Sequence, residues 1–423
     1  MWIAERTIAG VDASRDELLP FVGPPAALPL WGAFARLAYG TAARLWWAAL
    51  FAAALALALL VLRASGAAAS WPAIAALFAL TVGFGPVSSD LALGQIPLVS
   101  ILGAAVAAYA ASRGRWWWTA IGSFAALLQP NVAAGSIAVL GRIRTAAAFV
   151  TGAAAVYAAG AVAAGWAWPA AYARRVLVHG TGEAGSAIQF TPAAIAHGFG
   201  ASPGVAAAIG LTAAAVAIAA GAYAWRRIGD TFARFAALSA LAPFAAGFFH
   251  EHDLAAAYVA AAWCALRSHG QVRAIALAAT LFTAVDWLGL AQRPTGIVQS
   301  ALLAAAVACA FLAMGSAQGG RAGYVTPLAA VSLGIVAVVF GWACWLAAHH
   351  PLPVWPDALG AYHAPAAATA AQVWHEEQRR TGLFAAEPVW SILRCLSLLG
   401  CGLLAWCVTR TESTLLFRQS DEA

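Results

Sequence analysis

The stretch that decides the fold reads Pro243-Phe-Ala-Ala-Gly-Phe-Phe-His250-Glu251-His252-Asp253. Its four consecutive ionisable residues end one long apolar segment and begin the next. Charge is costly in so apolar a setting, and ionisable residues kept there tend to be functional. We therefore expect the chemistry of this protein on the side of the membrane that this stretch faces.

The composition is that of a membrane protein. Hydrophobic residues make up 63% of the chain and charged residues 9%, with a mean hydropathy of +0.79. A soluble chain could not hide this much apolar surface. The net charge of +6 comes from Arg alone, since the chain has no Lys, and most Arg residues lie between apolar segments. That distribution is typical of a topology signal, so we expect no nucleic-acid partner.

The apolar segments predict an all-α, polytopic integral membrane protein with about 11 transmembrane helices. The predicted spans are Leu45–Leu62, Trp71–Phe84, Ile96–Ala111, Ala146–Trp166, Val205–Trp225, Phe232–Phe249, Leu254–Leu266, Ala274–Leu288, Ile297–Met314, Val325–Ala348 and Val389–Val408. Trp116–Leu140 is different because Gln129-Pro130-Asn131 interrupts it. Backbone that is not helical survives at membrane depth only inside protein or beside a wet cavity. This segment therefore predicts a re-entrant helical hairpin with a polar tip.

The Arg residues predict the topology, because cytoplasmic loops carry an excess of positive charge. Those on the predicted cytoplasmic side are Arg63, Arg113, Arg115, Arg142, Arg144, Arg226, Arg227, Arg267, Arg273, Arg321 and Arg410. The hairpin tip, residues 250–253 and two large loops, 167–204 and 349–388, then face outward. We expect one domain over residues 1–423. Residues 1–44 form an extracytoplasmic segment in it, which implies a missing upstream span.

Three polar sites could carry chemistry. The pair His250 and His252, with its carboxylates, could bind phosphate, relay protons or ligate a metal, or merely cap two helices. No third ligand stands at helical spacing, so we expect no metal and no cofactor. Arg174 and Arg175 could clamp a phosphate or extend to the membrane interface. The stretch Trp374–Arg380 predicts a polar surface helix, solvated rather than catalytic.

Motifs of soluble enzymes are missing from the sequence. It contains no Walker A phosphate loop, no GxGxxG after a strand, no HExxH and no GxSxG elbow between a strand and a helix. Nothing in it suggests the use of cytosolic ATP.

Several stretches together resemble a known family. They are Gly10-Val-Asp12, Gly23-Pro24-Pro25, Asp90-Leu-Ala-Leu-Gly94-Gln95-Ile-Pro97, Arg113-Gly-Arg115, Gln129-Pro130-Asn131, Gly141-Arg142 and Phe248-Phe249-His250-Glu251-His252. This pattern resembles glycosyltransferase family 87, polytopic C-type enzymes that include polyprenol-phosphate-mannose-dependent mannosyltransferases. The chain departs from the family pattern at three positions. Gln129 replaces the usual Lys, Pro97 the usual Asn, and Glu251 the first His of the usual pair.

The resemblance implies a mechanism. A polyprenyl-phosphate sugar donor gives up a mannose-like hexose, or a pentose, to a lipid or glycan acceptor at the outer face. A carboxylate deprotonates the acceptor hydroxyl, which attacks the anomeric carbon with inversion, and the lipid phosphate leaves. The predicted donor and phosphate ligands are His252, His250, Gln95, Gln129, Arg174 and Arg175. The candidate bases on that face are Asp12, Asp16 and Asp90, since the family's own acid lies on a span that would precede Met1.

Two rival functions stay open from the sequence. One is a transporter or flippase for a lipid-linked substrate, which the interrupted segment at Gln129–Asn131 would suit. The other is an inactive family member that serves as a binding or assembly subunit. In each case we expect membrane lipids as neighbours. The expected location is the bacterial cytoplasmic (inner) membrane, crossed several times, with an extracytoplasmic active face.

Overall fold

The computed structural model describes residues 23–292, 296–316, 327–354 and 359–421. Within these ranges the regular elements are 18 α-helices and three 3₁₀ helices, at Pro25–Ala27, Ala134–Gly141 and His252–Ala257. The α-helices are α1 (Leu28–Phe34), α2 (Tyr39–Ser65), α3 (Trp71–Gly83), α4 (Gly85–Leu93), α5 (Pro97–Ser112), α6 (Trp116–Ala126), α7 (Ile143–Ala164), α8 (Trp168–Glu183), α9 (Pro192–Gly198), α10 (Pro203–Arg227), α11 (Thr231–Ala245), α12 (Tyr258–Arg267), α13 (Gly270–Ala284), α14 (Trp287–Gln292), α15 (Ile297–Ser316), α16 (Pro327–His349), α17 (Ala370–Arg380) and α18 (Pro388–Asp421). The described chain is therefore all-helical, as the sequence predicts.

Six of these helices are long and apolar enough to cross a membrane: α2, α7, α10, α15, α16 and α18. A seventh candidate is the pair α3 and α4, which passes the same test together but bends by 66°. The chain is thus a multi-pass membrane protein. The predicted number of spans is not confirmed, because the segments at α5, α11, α12 and α13 form shorter helices.

Helix α12 shows why hydropathy predicts too many spans. Its residues Tyr258 to Leu266 are all at most 2% exposed. It packs against α2, α11, α13, α15 and α18. An apolar segment of ten or so residues fits a buried core helix as well as it fits lipid. The apolar character of this stretch reflects burial inside the protein.

The interrupted segment 116–140 has the break that the sequence predicts. Helix α6 ends at Ala126, turns follow, and a 3₁₀ helix begins at Ala134. Helices α5 and α6 pack closely at Gly122. A Cβ there would lie only 2.5 Å from the Ala107 nitrogen, so this close approach requires Gly. This packing fixes the position of the polar turn that carries Gln129.

The two predicted outer loops each contain helical segments. Residues 167–204 contain α8 and α9, and 349–388 contains α17, which packs against α8. An antiparallel bridge joins Gln189, after α8, to His250. The two loops and the ionisable stretch therefore meet in space.

Candidate functional site

A large cavity lies where these segments meet. Its volume is about 1370 Å³. Polar groups come from several parts of the chain, and apolar side chains such as Leu93, Ile96, Val176 and Leu303 form much of the rest of its wall. Drug-sized ligands occupy pockets of about 300–1,000 Å³. The cavity can therefore hold a larger ligand that has both a polar and an apolar part.

Glu183, at the end of α8, is the hub of the buried hydrogen bonds beside the cavity. Its Oε1 accepts from the indole N–H of Trp374 and lies 3.4 Å from the Gln378 amide nitrogen. The same oxygen lies 3.1 Å from His179 Nε2, one helical turn earlier. Burial would raise the pKa of Glu183, but His250 and His179 hold it well below its usual range. Glu183 is therefore a buried, ionised carboxylate.

His250 is fixed between two carboxylates. Its Nε2 lies 3.1 Å from Glu183 Oε2, and its Nδ1 lies 3.9 Å from Asp253 Oδ2. Gln189 donates to Glu183 Oε2 and accepts the Phe249 backbone N–H at 2.7 Å. Burial would lower the pKa of His250, but the attraction of Glu183 and Asp253 raises it above its ordinary value. His250 is therefore held between Glu183 and Asp253, and both carboxylates favour its protonated form.

Asp253 is held by the turn at Gln129–Asn131. The side-chain amides of Gln129 and Asn131 donate to its two oxygens at 3.0 and 3.1 Å, and the backbone N–H of His250 donates at 2.9 Å. Burial, opposed by His250 and these hydrogen bonds, raises the pKa of Asp253 to about 6. Gln129 and Asn131 thus orient the carboxylate of Asp253, the last residue of the ionisable stretch 250–253.

His252 faces the cavity. Its ring stacks on that of His250 with centroids 5.4 Å apart, and its Nε2 lies 3.8 Å from Asp253 Oδ1. Burial and the neighbouring His250 lower the pKa of His252 to about 3. The His252 ring is therefore neutral and offers a lone pair.

Two further carboxylates, Glu251 and Asp286, line the cavity. Within the described residues, Glu251 Oε1 has no hydrogen-bond partner. Burial and the charge of Asp286 raise the pKa of Glu251 well above its usual value, although Ser89 hydrogen bonds to it. Asp286 Oδ1 accepts the backbone N–H of Gly289 at 2.6 Å. Glu251 is thus the cavity carboxylate with an uncommitted oxygen.

The predicted donor ligands fall into two groups. His250, His252, Gln95 and Gln129 line the cavity together. Arg174 and Arg175 are exposed on α8 and do not belong to the described cavity wall.

Among the predicted bases, only Asp90 lies in the described part of the chain. It is fully buried, and its Oδ2 accepts the backbone N–H of Leu98 at 2.8 Å, at the start of α5. It stands behind Ser89 rather than on the cavity wall. Asp12 and Asp16 lie outside the described residues.

A model of glycosyltransferase family 87 matches residues 21–248, more than half of the chain. The chain belongs to glycosyltransferase family 87. The match includes Gln95, Gln129 and Glu183, and it ends two residues before His250. No curated protein and no solved structure matches the chain.

The sequence did not predict that Glu183, Asp286 and Trp374 line the cavity of this family 87 protein. The prediction of a solvated helix at Trp374–Arg380 is wrong for one of its faces, where Trp374, Glu377 and Gln378 are buried. The only local signal for Glu183 is its spacing, four residues after His179 on one helix, which places both side chains on the same face.

Proposed function

We propose that this protein transfers a sugar from a polyprenyl-phosphate sugar to a hydroxyl of a lipid or glycan acceptor at the extracytoplasmic face. The observation that carries the proposal is the cavity of about 1370 Å³, which joins apolar walls to the buried His250–Asp253 cluster. A polyprenyl-phosphate sugar has the same two parts, a long apolar tail and a polar head. Membership of glycosyltransferase family 87 supplies the reaction type.

Each group of cavity residues has its own role in the reaction. His252 and His250 bind the phosphate, and the amides of Gln95 and Gln129 line the donor side. Glu251 in its ionised form accepts the proton of the acceptor hydroxyl, because its Oε1 is uncommitted and the burial that raises its pKa also makes it a stronger base. The hydroxyl oxygen bonds to the anomeric carbon as the bond from that carbon to the phosphate oxygen breaks. Polyprenyl phosphate leaves with that electron pair, and the group that binds its developing charge lowers the barrier.

The extracytoplasmic face is supported by the distribution of charge. The segments that meet at the cavity, including residues 250–253 and the loops 167–204 and 349–388, are those that the positive-inside rule puts outside. The sugar is a mannose-like hexose or a pentose, and the membrane is the bacterial cytoplasmic membrane.

A transfer assay tests the function. The full chain, purified in lipid nanodiscs, is given polyprenyl-phosphate mannose or a pentose counterpart, an extract of membrane acceptors, and in parallel the matching nucleotide sugar. We expect transfer from the lipid donor alone, with release of polyprenyl phosphate, and its loss in His252→Ala. Donor binding without turnover would favour an inactive subunit. Movement of the intact donor between leaflets without transfer would favour a flippase.

A further inference from the structure

We propose that His250, His252 and Asp253 form a binding site for one divalent first-row transition metal ion, open to the cavity. Each of the three offers a ligand atom, and these atoms lie within 4.8 Å of one another. The measured pairs are His250 Nδ1 to Asp253 Oδ2, 3.9 Å, and His252 Nε2 to Asp253 Oδ1, 3.8 Å. Ligand atoms around a tetrahedral Zn²⁺ lie roughly 3.4 Å apart. Small side-chain movements would therefore close the site.

The ring of His250 is already oriented for this role. Its Nε2 lies 3.1 Å from Glu183 Oε2, and its Nδ1 lies on the side of Asp253, where loss of a proton to an incoming metal ion would free a lone pair. A metal-ligating His usually donates its other ring N–H to a carboxylate, which fixes the tautomer and the ring orientation. Glu183 is itself fixed by His179 and Trp374. A residue that only caps a helix would not need these supporting contacts.

Asp253 is oriented in the same way. Gln129 and Asn131 donate to its two oxygens. Both donors are neutral amides, so they orient the carboxylate without balancing its charge. A divalent cation between Asp253 and the two imidazoles would balance it.

The ligand set selects the class of metal. Two imidazole nitrogens and one carboxylate oxygen suit Zn²⁺, Mn²⁺, Fe²⁺ or Co²⁺, whereas Mg²⁺ and Ca²⁺ prefer oxygen ligands. Three protein ligands leave a coordination position for water or substrate, as in catalytic zinc sites. His250 and His252 line the cavity, so that position faces it.

In the described part of the cavity wall there is no Arg, and the chain has no Lys. A bound metal ion would supply a cation for the leaving phosphate, a role that rests on the proposed function.

Metal binding can be measured without any sugar donor. The full chain, purified with a tag free of His and washed with chelator, is titrated with Co²⁺, whose visible spectrum reports its ligands, and then with competing Zn²⁺. We expect one equivalent to bind, and binding to be lost in His252→Ala and in Asp253→Asn. His349→Ala, at the exposed end of α16, is the matched control and should bind as the native chain does. Should one ligand variant fail to fold, the other carries the comparison.

A change at Glu183, which positions His250, distinguishes a metal site from a purely structural role of these residues. Glu183→Gln keeps an acceptor for His250 but removes the charge, and outer-shell changes of this kind weaken metal affinity by about 10- to 100-fold. We expect that loss with an unchanged Co²⁺ spectrum. A native chain that binds no Co²⁺ or Zn²⁺, or binds it equally well in both ligand variants, would overturn the proposal. A chain that binds metal but transfers no sugar would instead contradict the proposed function alone.

Discussion

Glu251→Gln is expected to abolish most sugar transfer while the protein still binds its donor. General-base catalysis by a positioned side chain contributes about 10²- to 10⁴-fold to a rate, and the amide cannot take a proton from the acceptor hydroxyl. Gln has the shape of Glu, so the contact with Ser89 can persist. We therefore expect kcat to fall by about 10²- to 10⁴-fold, with the donor affinity nearly unchanged.

Two other variants make this test specific. Glu376→Gln changes the same residue type on α17, where Glu376 pairs with Arg379 and Arg380 away from the cavity wall, and it should keep full activity. Asp286→Asn alters the second cavity carboxylate and should cost less than Glu251→Gln. An unchanged kcat in Glu251→Gln would remove Glu251 from the role of base.

Glu183→Ala is expected to destabilise the protein more than other single changes at this site. Removing one partner of a buried ion pair costs about 3–5 kcal/mol, because the other charge stays buried and unpaired. Here the loss would remove the carboxylate that lies 3.1 Å from both His179 and His250 and that accepts the Trp374 indole N–H. Thermal unfolding in detergent, read by the fluorescence of the Trp residues, should show the change.

Glu376→Ala is the matched control for stability. Its carboxylate lies 2.7 Å from Arg379 and 2.8 Å from Arg380, but this pair is solvent-exposed. Exposed pairs of this kind contribute little to stability, because water screens them. Equal destabilisation by Glu183→Ala and Glu376→Ala would mean that Glu183 is not the hub of the site.

The ionisable stretch at residues 250–253 and the break at Gln129–Asn131 were predictable because their signals are local. Four ionisable residues and the run Gln129-Pro130-Asn131 each interrupt an apolar segment, and the structure joins them through Asp253. Gln129, which departs from the family's Lys, contacts Asp253 as a neutral donor. Neither pattern predicts which residues come into contact in the fold. The contact of Asp253 with Gln129 and Asn131 was therefore not predicted.

Glu183 could not be found in this way, because its contacts are distant in sequence. Trp374 lies 191 residues further along the chain, and His250 arrives from a different pair of helices. No periodicity links these positions. The number of membrane spans was missed for another physical reason: a buried core helix such as α12 and a lipid-facing helix have the same hydropathy.

The position of the donor tests the central claim most directly. A structure of the full chain in lipid nanodiscs, with a non-hydrolysable polyprenyl-phosphate-sugar analogue, would show it. We predict that the phosphate lies against His252 and His250, or a metal ion held by them, with the sugar towards Glu251 and the lipid tail along the apolar wall at Leu93 and Leu303. A phosphate bound instead at Arg174 and Arg175 on the exposed face of α8, with no part of the donor in the cavity, would contradict the account.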